Sequence, residues 1–310
     1  MAKKKALVAG GAGFIGSHLC EYLLGQGYEV HALDSLTTGQ NRNIQHLISK
    51  GLHFHKLNLI EPFDLGLAFD EIYNLASPAS PDDFVKMPLF ILQTSSQGHL
   101  RLLDLALRTN ARILLASTSE VYGDPLEHPQ TEEYWGNVNP IGPRGCYDEA
   151  KRFAEALSMA HWRMNKTQIR IIRIFNTYGP RMRPDDGRII PNFFTQALKK
   201  QSLTIYGDGS QTRSFCYVSD MVEGMHALMQ SSVTSPVNIG NPSEKSVLEI
   251  ADEVNRLTNN TREHVFLPLP QDDPRRRWPQ IDKAKELLNW EPKVGLAEGL
   301  AQTLAFFKTI

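Results

Sequence analysis

Ala6-Leu7-Val8-Ala9-Gly10-Gly11-Ala12-Gly13-Phe14-Ile15-Gly16 is a short apolar strand running into glycines spaced Gly10-x-x-Gly13-x-x-Gly16. Such glycines permit a tight turn, close backbone approach to a pyrophosphate, and close packing of a helix on a strand. An amphipathic stretch follows from Phe14 to Gln26 and stops at Gly27. Glu29-Val30-His31-Ala32-Leu33-Asp34 then reads as a second strand with an acid at its C-terminal end. Strand, glycine turn, helix and acid-tipped strand together make a βαβ unit that binds a dinucleotide. The phosphates would rest on the helix N-terminus, where unpaired N–H groups and the helix dipole favour negative charge. Asp34 can accept hydrogen bonds from ribose hydroxyls and would repel an additional phosphate, and Ser35 and Leu36, not arginine, follow it. The expected cofactor is therefore NAD rather than NADP.

Outward from this unit, strand-like runs recur at 53–57, 71–75, 112–117 and 168–174, with helical patterns between them at 89–108 and 146–164. This alternation predicts an α/β fold, a doubly wound parallel Rossmann sheet with helices on both faces. Beyond residue 176 Pro, Gly and Arg become frequent and the elements shorten. Helices are expected at 191–200, 219–230, 247–257 and 284–288, and a strand at 203–206. We expect residues 1–176, with returns near 212–240, to form the nucleotide-binding part. Residues 177–211 and 241–310 would form a smaller mixed substrate-binding part.

Bulk composition excludes several classes of partner. The 310 residues carry a formal net charge of −1, so neither nucleic acid nor a membrane surface is the expected partner. No apolar run approaches the roughly 20 residues of a membrane span, and the N-terminal apolar stretch is broken at once by glycines, unlike a signal peptide. Cys20, Cys146 and Cys216 are 3 in number and have no metal-ligand spacing. They suit a reducing, cytoplasmic setting, and no metal is expected.

The chemistry is concentrated in Thr118-Ser119-Glu120-Val121-Tyr122-Gly123 and in Tyr147-x-x-x-Lys151. Tyr147 and Lys151 share one face of a helix. A tyrosine is a poor base near neutral pH unless a cation stabilises its phenolate, and Lys151 with an oxidised nicotinamide would supply that charge. Thr118 lies at a strand end, where parallel strands open onto the ligand crevice, and can hold the substrate hydroxyl whose proton Tyr147 removes. Asn176, Arg188, Asn192 and Arg213 supply donors suited to a diphosphate.

With these residues the chain resembles the extended short-chain dehydrogenase/reductase family acting on nucleotide sugars, and within it the UDP-glucuronate decarboxylases. The resemblance runs through 10–18 with Asp34, 75–81 (LASPASP), 115–125 (LASTSEVYGDP), 139–152 (NPIGPRGCYDEAKR), 173–182 (RIFNTYGPRM), 206–213 (YGDGSQTR) and 271–277 (QDDPRRR). It implies cofactor contacts from Gly10, Gly13, Phe14, Ile15, Gly16, Asp34, Ser35, Thr38, Gly39, Asn58, Leu59, Leu75, Ser77 and Thr94, besides Tyr147 and Lys151. Ser119 and Glu120 are implied to manage a proton or water near sugar carbon 5, and Arg277 to steer the carboxylate or protonate the intermediate. Tyr206 and Arg213 would cradle uridine and phosphate, and Arg275 would meet the diphosphate. Related 4,6-dehydratases carry an Asp-Glu pair in place of Ser119-Glu120, and 4-epimerases have no carboxylate at Glu120. Two places depart from the family: Asn58 stands where Asp is usual, and Gln93-Thr94-Ser95 replaces Lys-Thr-Asn.

The resemblance implies NAD-dependent decarboxylation of UDP-glucuronate to UDP-xylose through a 4-keto intermediate, with hydride recycled inside the site. An epimerase or dehydratase of the same family, or a non-catalytic NAD-sensing protein, are the alternatives. It also implies a homodimer held by a four-helix contact and a cytoplasmic location.

Overall fold

The computed structural model describes residues 3–269 and 276–310. Its centre is a seven-stranded sheet in which every pairing is parallel. The first six strands are β1 (Lys5–Ala9), β2 (Glu29–Asp34), β3 (His53–Lys56), β4 (Glu71–Asn74), β5 (Arg112–Thr118) and β6 (Gln168–Ile174). Strand Val237–Ile239 adds to the edge beside β6, giving the spatial order Val237–Ile239, β6, β5, β4, β1, β2, β3. The chain reverses its direction of winding between β1 and β4. A crevice therefore opens at their carboxyl ends, the place where ligands bind in open α/β sheets.

Strands buried on both faces read as near-continuous apolar runs. Leu7 and Ala9 face helix His99–Thr109 and the long helix Gly145–Asn165 on one side. Ala6 and Val8 face helices α1 (Phe14–Gly25) and Val218–Gln230 on the other. Strands β5 and β6 are in register from Arg112↔Gln168 to Thr118↔Ile174, so Thr118 is the last residue of its strand rather than the first beyond it.

The region expected as one helix over 89–108 is three segments: helix Pro88–Gln93, a π-helical turn Thr94–Gly98, and helix His99–Thr109. A π turn inserts one extra residue into the hydrogen-bond ladder, which period counting alone does not register. The hydroxyls of Thr94 and Ser95 are buried there with no hydrogen-bond partner among the described residues. Helix Leu296–Phe307, which the sequence reading did not single out, packs Leu300, Leu304 and Phe307 into the larger core.

Small sheets flank the crevice. Thr177–Tyr178 pairs with Cys216–Tyr217, Thr204–Tyr206 with Val265–Leu267, and Thr212–Ser214 lies between Glu244–Ser246 and Arg276–Arg277. The last pairing carries the C-terminal Arg277 across the molecule to the end of β5.

Candidate active site

The glycine turn builds the first wall of the crevice. Gly10 has φ +80°, and a Cβ there would lie 2.8 Å from the Leu75 carbonyl carbon. A Cβ on Gly16 would collide with the Gly10 carbonyl oxygen, so α1 can approach β1 only with glycine at both positions. The N-terminus of α1 has no side-chain cap and no acidic residue in its first turn, which leaves its N–H groups for an anion.

Asp34 is buried at the tip of β2, where one carboxylate oxygen accepts the Ala12 N–H (3.0 Å) and the other accepts the Leu36 N–H (2.8 Å). Burial raises its pKa, partly offset by these two bonds. A Cβ on Gly39 would lie 2.6 Å from the Asp34 carboxylate, so this flank too is open only because it is glycine. A bare helix N-terminus, a glycine-walled floor and a buried carboxylate at the next strand end fit the diphosphate and ribose of a dinucleotide.

Two connected hollows result. The smaller is lined by Asp34, Ser35, Thr38, Gly39, Asn58, Leu59, Leu75, Ser77 and Thr94. The larger, ≈ 730 Å³, is lined by Gly10, Gly13, Phe14, Ile15 and Gly16, by Thr118, Ser119, Glu120, Tyr147 and Lys151, and by Asn176, Arg188, Tyr206, Arg213 and Arg277. The structure thus brings nearly all the expected site residues to one crevice. Asn192 lines neither hollow, and its side-chain amide donates to the Gly187 carbonyl (2.9 Å). Arg275 lies outside the described residues.

At the end of β5, Thr118 accepts the Glu120 N–H (3.2 Å), and its hydroxyl lies beside Tyr147. The Tyr147 ring stacks on Phe84 at 4.9 Å, which fixes its plane. Burial drives the Tyr147 pKa up, and the neighbouring Thr118 hydroxyl opposes the shift. Lys151 Nζ donates to the Ala116 carbonyl (2.9 Å) and lies 5.7 Å from the Tyr147 ring centre. Burial lowers the Lys151 pKa to about 8. The Lys151 ammonium is thus held by the β5 backbone at the side of the Tyr147 ring.

Glu120 is gripped from two sides. Arg144 Nη2 lies 2.6 Å from one carboxylate oxygen and Arg277 Nη1 lies 2.6 Å from the other. Burial alone would raise the Glu120 pKa, but the two guanidinium groups hold it far below the usual carboxylate range. Arg277 is 2% exposed; it also donates to Ser119 Oγ (3.2 Å) and to the Gly123 carbonyl (3.0 Å). Its guanidinium is thus engaged with protein groups along the turn that carries Glu120.

Arg144 was not singled out from the sequence. It stands just before helix Gly145–Asn165, covers the Phe84 ring at 5.7 Å and reaches toward Asp148 (4.0 Å). Asp148 is pushed up to about 7, by burial first and the Glu120 charge second. The available signal was the i, i+4 spacing of Arg144 and Asp148 one turn around Tyr147. Behind the site, Arg173 pairs with Glu155 through two bonds (3.0 and 2.8 Å), and Ser117 donates to the same carboxylate (2.5 Å). This partly buried network ties β5 and β6 to the helix bearing Tyr147 and Lys151.

A Rossmann sheet with a strand-end threonine and a helical Tyr-x-x-x-Lys defines a nucleotide-dependent protein of the extended short-chain dehydrogenase/reductase class. The family model described as GDP-mannose 4,6 dehydratase matches residues 7–303. The chain is 52% identical to UDP-glucuronic acid decarboxylase 1 of Xenopus tropicalis over 99% of its own length and 72% of that protein's. It is 51% identical to UDP-glucuronic acid decarboxylase 1 of Arabidopsis thaliana, over 98% of its length and 70% of the relative's. Among solved structures, the UDP-glucuronic acid 4-epimerase of Bacillus cereus, in complex with UDP-glucuronic acid and NAD, superposes with a TM-score of 0.88 at 29% identity, covering 98% of this chain and 99% of that one. The chain belongs to the UDP-glucuronic acid decarboxylase family within that class.

Proposed function

We propose that the protein is an NAD-dependent enzyme that decarboxylates UDP-glucuronate to UDP-xylose. The observation that carries this reading is Glu120, an ionised carboxylate clamped by Arg144 and Arg277 beside the Thr118–Tyr147 pair in a crevice rich in arginine. Bound NAD would accept a hydride from carbon 4 of the sugar and later return it, so that no net redox change results. The ribose would meet Asp34, and the diphosphate the N-terminus of α1.

The protein's own groups handle the protons. Thr118 holds the carbon-4 hydroxyl and Tyr147 takes its proton, with the positive charge of Lys151 beside the Tyr147 ring favouring the phenolate. The ketone at carbon 4 is β to the carboxylate, so the bond from carbon 5 to the carboxylate can break. Carbon dioxide then leaves, and the electron pair delocalises into an enolate. Thr118 and the Tyr147 hydroxyl stabilise that oxyanion. Carbon 5 next takes a proton. Glu120 is held too acidic to be a stored acid at neutral pH, so it acts by orienting water together with Ser119. Arg277 acts by holding that pair in place rather than by donating a proton of its own. Arg188 and Arg213, both lining the crevice, would take the UDP diphosphate, with Tyr206 at the uridine.

We further infer a nucleotide-binding part at 1–176 with a return near 212–240, and a sugar-nucleotide part at 177–211 and 241–310. The strand Val237–Ile239, which rejoins the parallel sheet, supports the return. A homodimer would pair helices 88–109 and 145–165 with their copies. Leu89, Leu92, Leu100 and Leu107 on the first stretch and Phe153 and Met164 on the second are exposed apolar side chains that such a contact would cover. A cytoplasmic location fits three free thiols and the finding that no helix among the described residues is long and apolar enough to cross a membrane.

Proton NMR in heavy water with UDP-glucuronate and trace NAD tests the activity. UDP-xylose with one deuterium at carbon 5 and no NADH accumulation is expected. A released 4-keto pentose with stoichiometric NADH would refute the closed hydride cycle, and an epimerised UDP-galacturonate would refute decarboxylation.

A further inference from the structure

We propose that Glu29, His31 and His53 form a binding site for a divalent transition-metal ion of the zinc class, at the end of the sheet opposite the cofactor crevice. Strands β2 and β3 run parallel with His31 paired to His53 and Leu33 to His55. Side chains alternate along a strand, so Glu29 and His31 on β2 share a face with His53 and His55 on β3. One donor atom from each of Glu29, His31 and His53 lies within 4.8 Å of the others.

The spacing suits a small ion. Glu29 Oε1 lies 3.1 Å from His31 Nε2. A tetrahedral zinc at about 2.1 Å from nitrogen and oxygen donors holds them about 3.4 Å apart. That pair is already at ligand spacing, and the exposed His53 ring, stacked 4.6 Å from His31, closes on it by side-chain rotation.

His31 is also held as a ligand is held. It is 4% exposed, its ring meets the Phe69 edge, and its Nδ1 is 2.9 Å from His55 Nε2. A ligating histidine regularly has its second nitrogen fixed by such a partner, which sets the ring's orientation and leaves the first nitrogen for the metal. Two imidazoles and a carboxylate without sulfur favour zinc, nickel or copper, whereas magnesium and calcium take oxygen sets. Lys5 Nζ, 3.2 Å from Glu29 Oε1, is the competing cation. The ion must displace it, together with the proton between Glu29 and His31.

A bound ion would tie β3 to β2. Strand β3 is the sheet's edge, four residues long and paired only with β2. Its continuation, Leu57, Asn58 and Leu59, lines the smaller hollow. The ion would therefore clip the strand that leads into the cofactor site without touching the reacting atoms.

The test uses the full, untagged, chelator-stripped protein titrated with zinc chloride by calorimetry, followed by X-ray absorption. The expected result is one bound equivalent, an all-nitrogen-and-oxygen shell containing imidazole, and a Tm rise of about 5 °C at a hundredfold excess over Kd. His53→Ala, at an exposed position, should weaken zinc at least about tenfold, and His55→Gln about 10–100-fold. Turnover of UDP-glucuronate by His53→Ala without zinc should match the parent. No stoichiometric uptake, sulfur in the shell, or uptake unchanged in His53→Ala would overturn the site.

Discussion

Arg277 Nη1 lies 2.6 Å from Glu120 Oε1, joining a two-residue strand near the C-terminus to the turn at the end of β5. A group brought across the molecule in this way holds a carboxylate ionised where bulk burial would protonate it. Removing one partner of a buried pair leaves the other uncompensated. Arg277→Met should therefore destabilise the fold by about 3 kcal/mol in urea unfolding. Turnover should fall further than the fraction unfolded explains. A stability change under about 1 kcal/mol would show that Arg144 alone suffices.

Glu120→Gln keeps the shape of the clamp and removes its charge. We expect kcat to fall by about 10²-fold or more while UDP affinity stays within a few-fold, measured by steady-state kinetics and calorimetry. Equal losses in both would place Glu120 in substrate binding instead.

The lowered pKa of Lys151 has a consequence for stability. In the unfolded chain this lysine titrates near 10.5, whereas in the ligand-free fold it titrates at about 8. Between these values the unfolded state binds more protons, so stability rises with pH there, and the burial penalty is fully present below about pH 8. Lys151→Met should flatten the stability slope between about pH 8 and 10.5 and stabilise the ligand-free protein at pH 7, as read by denaturant midpoints. An unchanged slope would mean that Lys151 titrates normally.

Tyr147→Phe should retain the stack on Phe84 and lose the proton acceptor. A drop of about 10²–10⁴-fold in kcat with NAD binding preserved is expected from kinetics and fluorescence titration. A mild loss would assign the proton transfer to another group.

Asp34→Ala should weaken NAD by about 10–100-fold, in line with losing one or two charge-assisted hydrogen bonds. NADP should weaken less, because repulsion of its additional phosphate disappears at the same time. Parallel titrations with both cofactors measure the ratio, and an unchanged ratio would remove Asp34 from ribose selection.

Local sequence determined the nucleotide half of this protein. Gly10, Gly13 and Gly16, the acid at Asp34, the strand-end Thr118 and the Tyr147–Lys151 spacing each require only a few neighbouring residues and a known period, so their geometry is written in short stretches. The same holds for the alternating strands and helices of the parallel sheet. What the tertiary structure decided depends on contacts between distant positions. Nothing near Glu120 in the chain announces Arg277, and nothing near Arg144 announces that it closes the other side of the same carboxylate. The π turn at Thr94–Gly98 escaped because one inserted residue barely disturbs a helical pattern. The Lys151 bond to Ala116 escaped because an ammonium partner is selected by packing of a helix on a strand, not by spacing. Periodicity specifies which face of an element is buried; only the packed fold specifies which charges meet there, because desolvation and pairing act through space rather than along the chain.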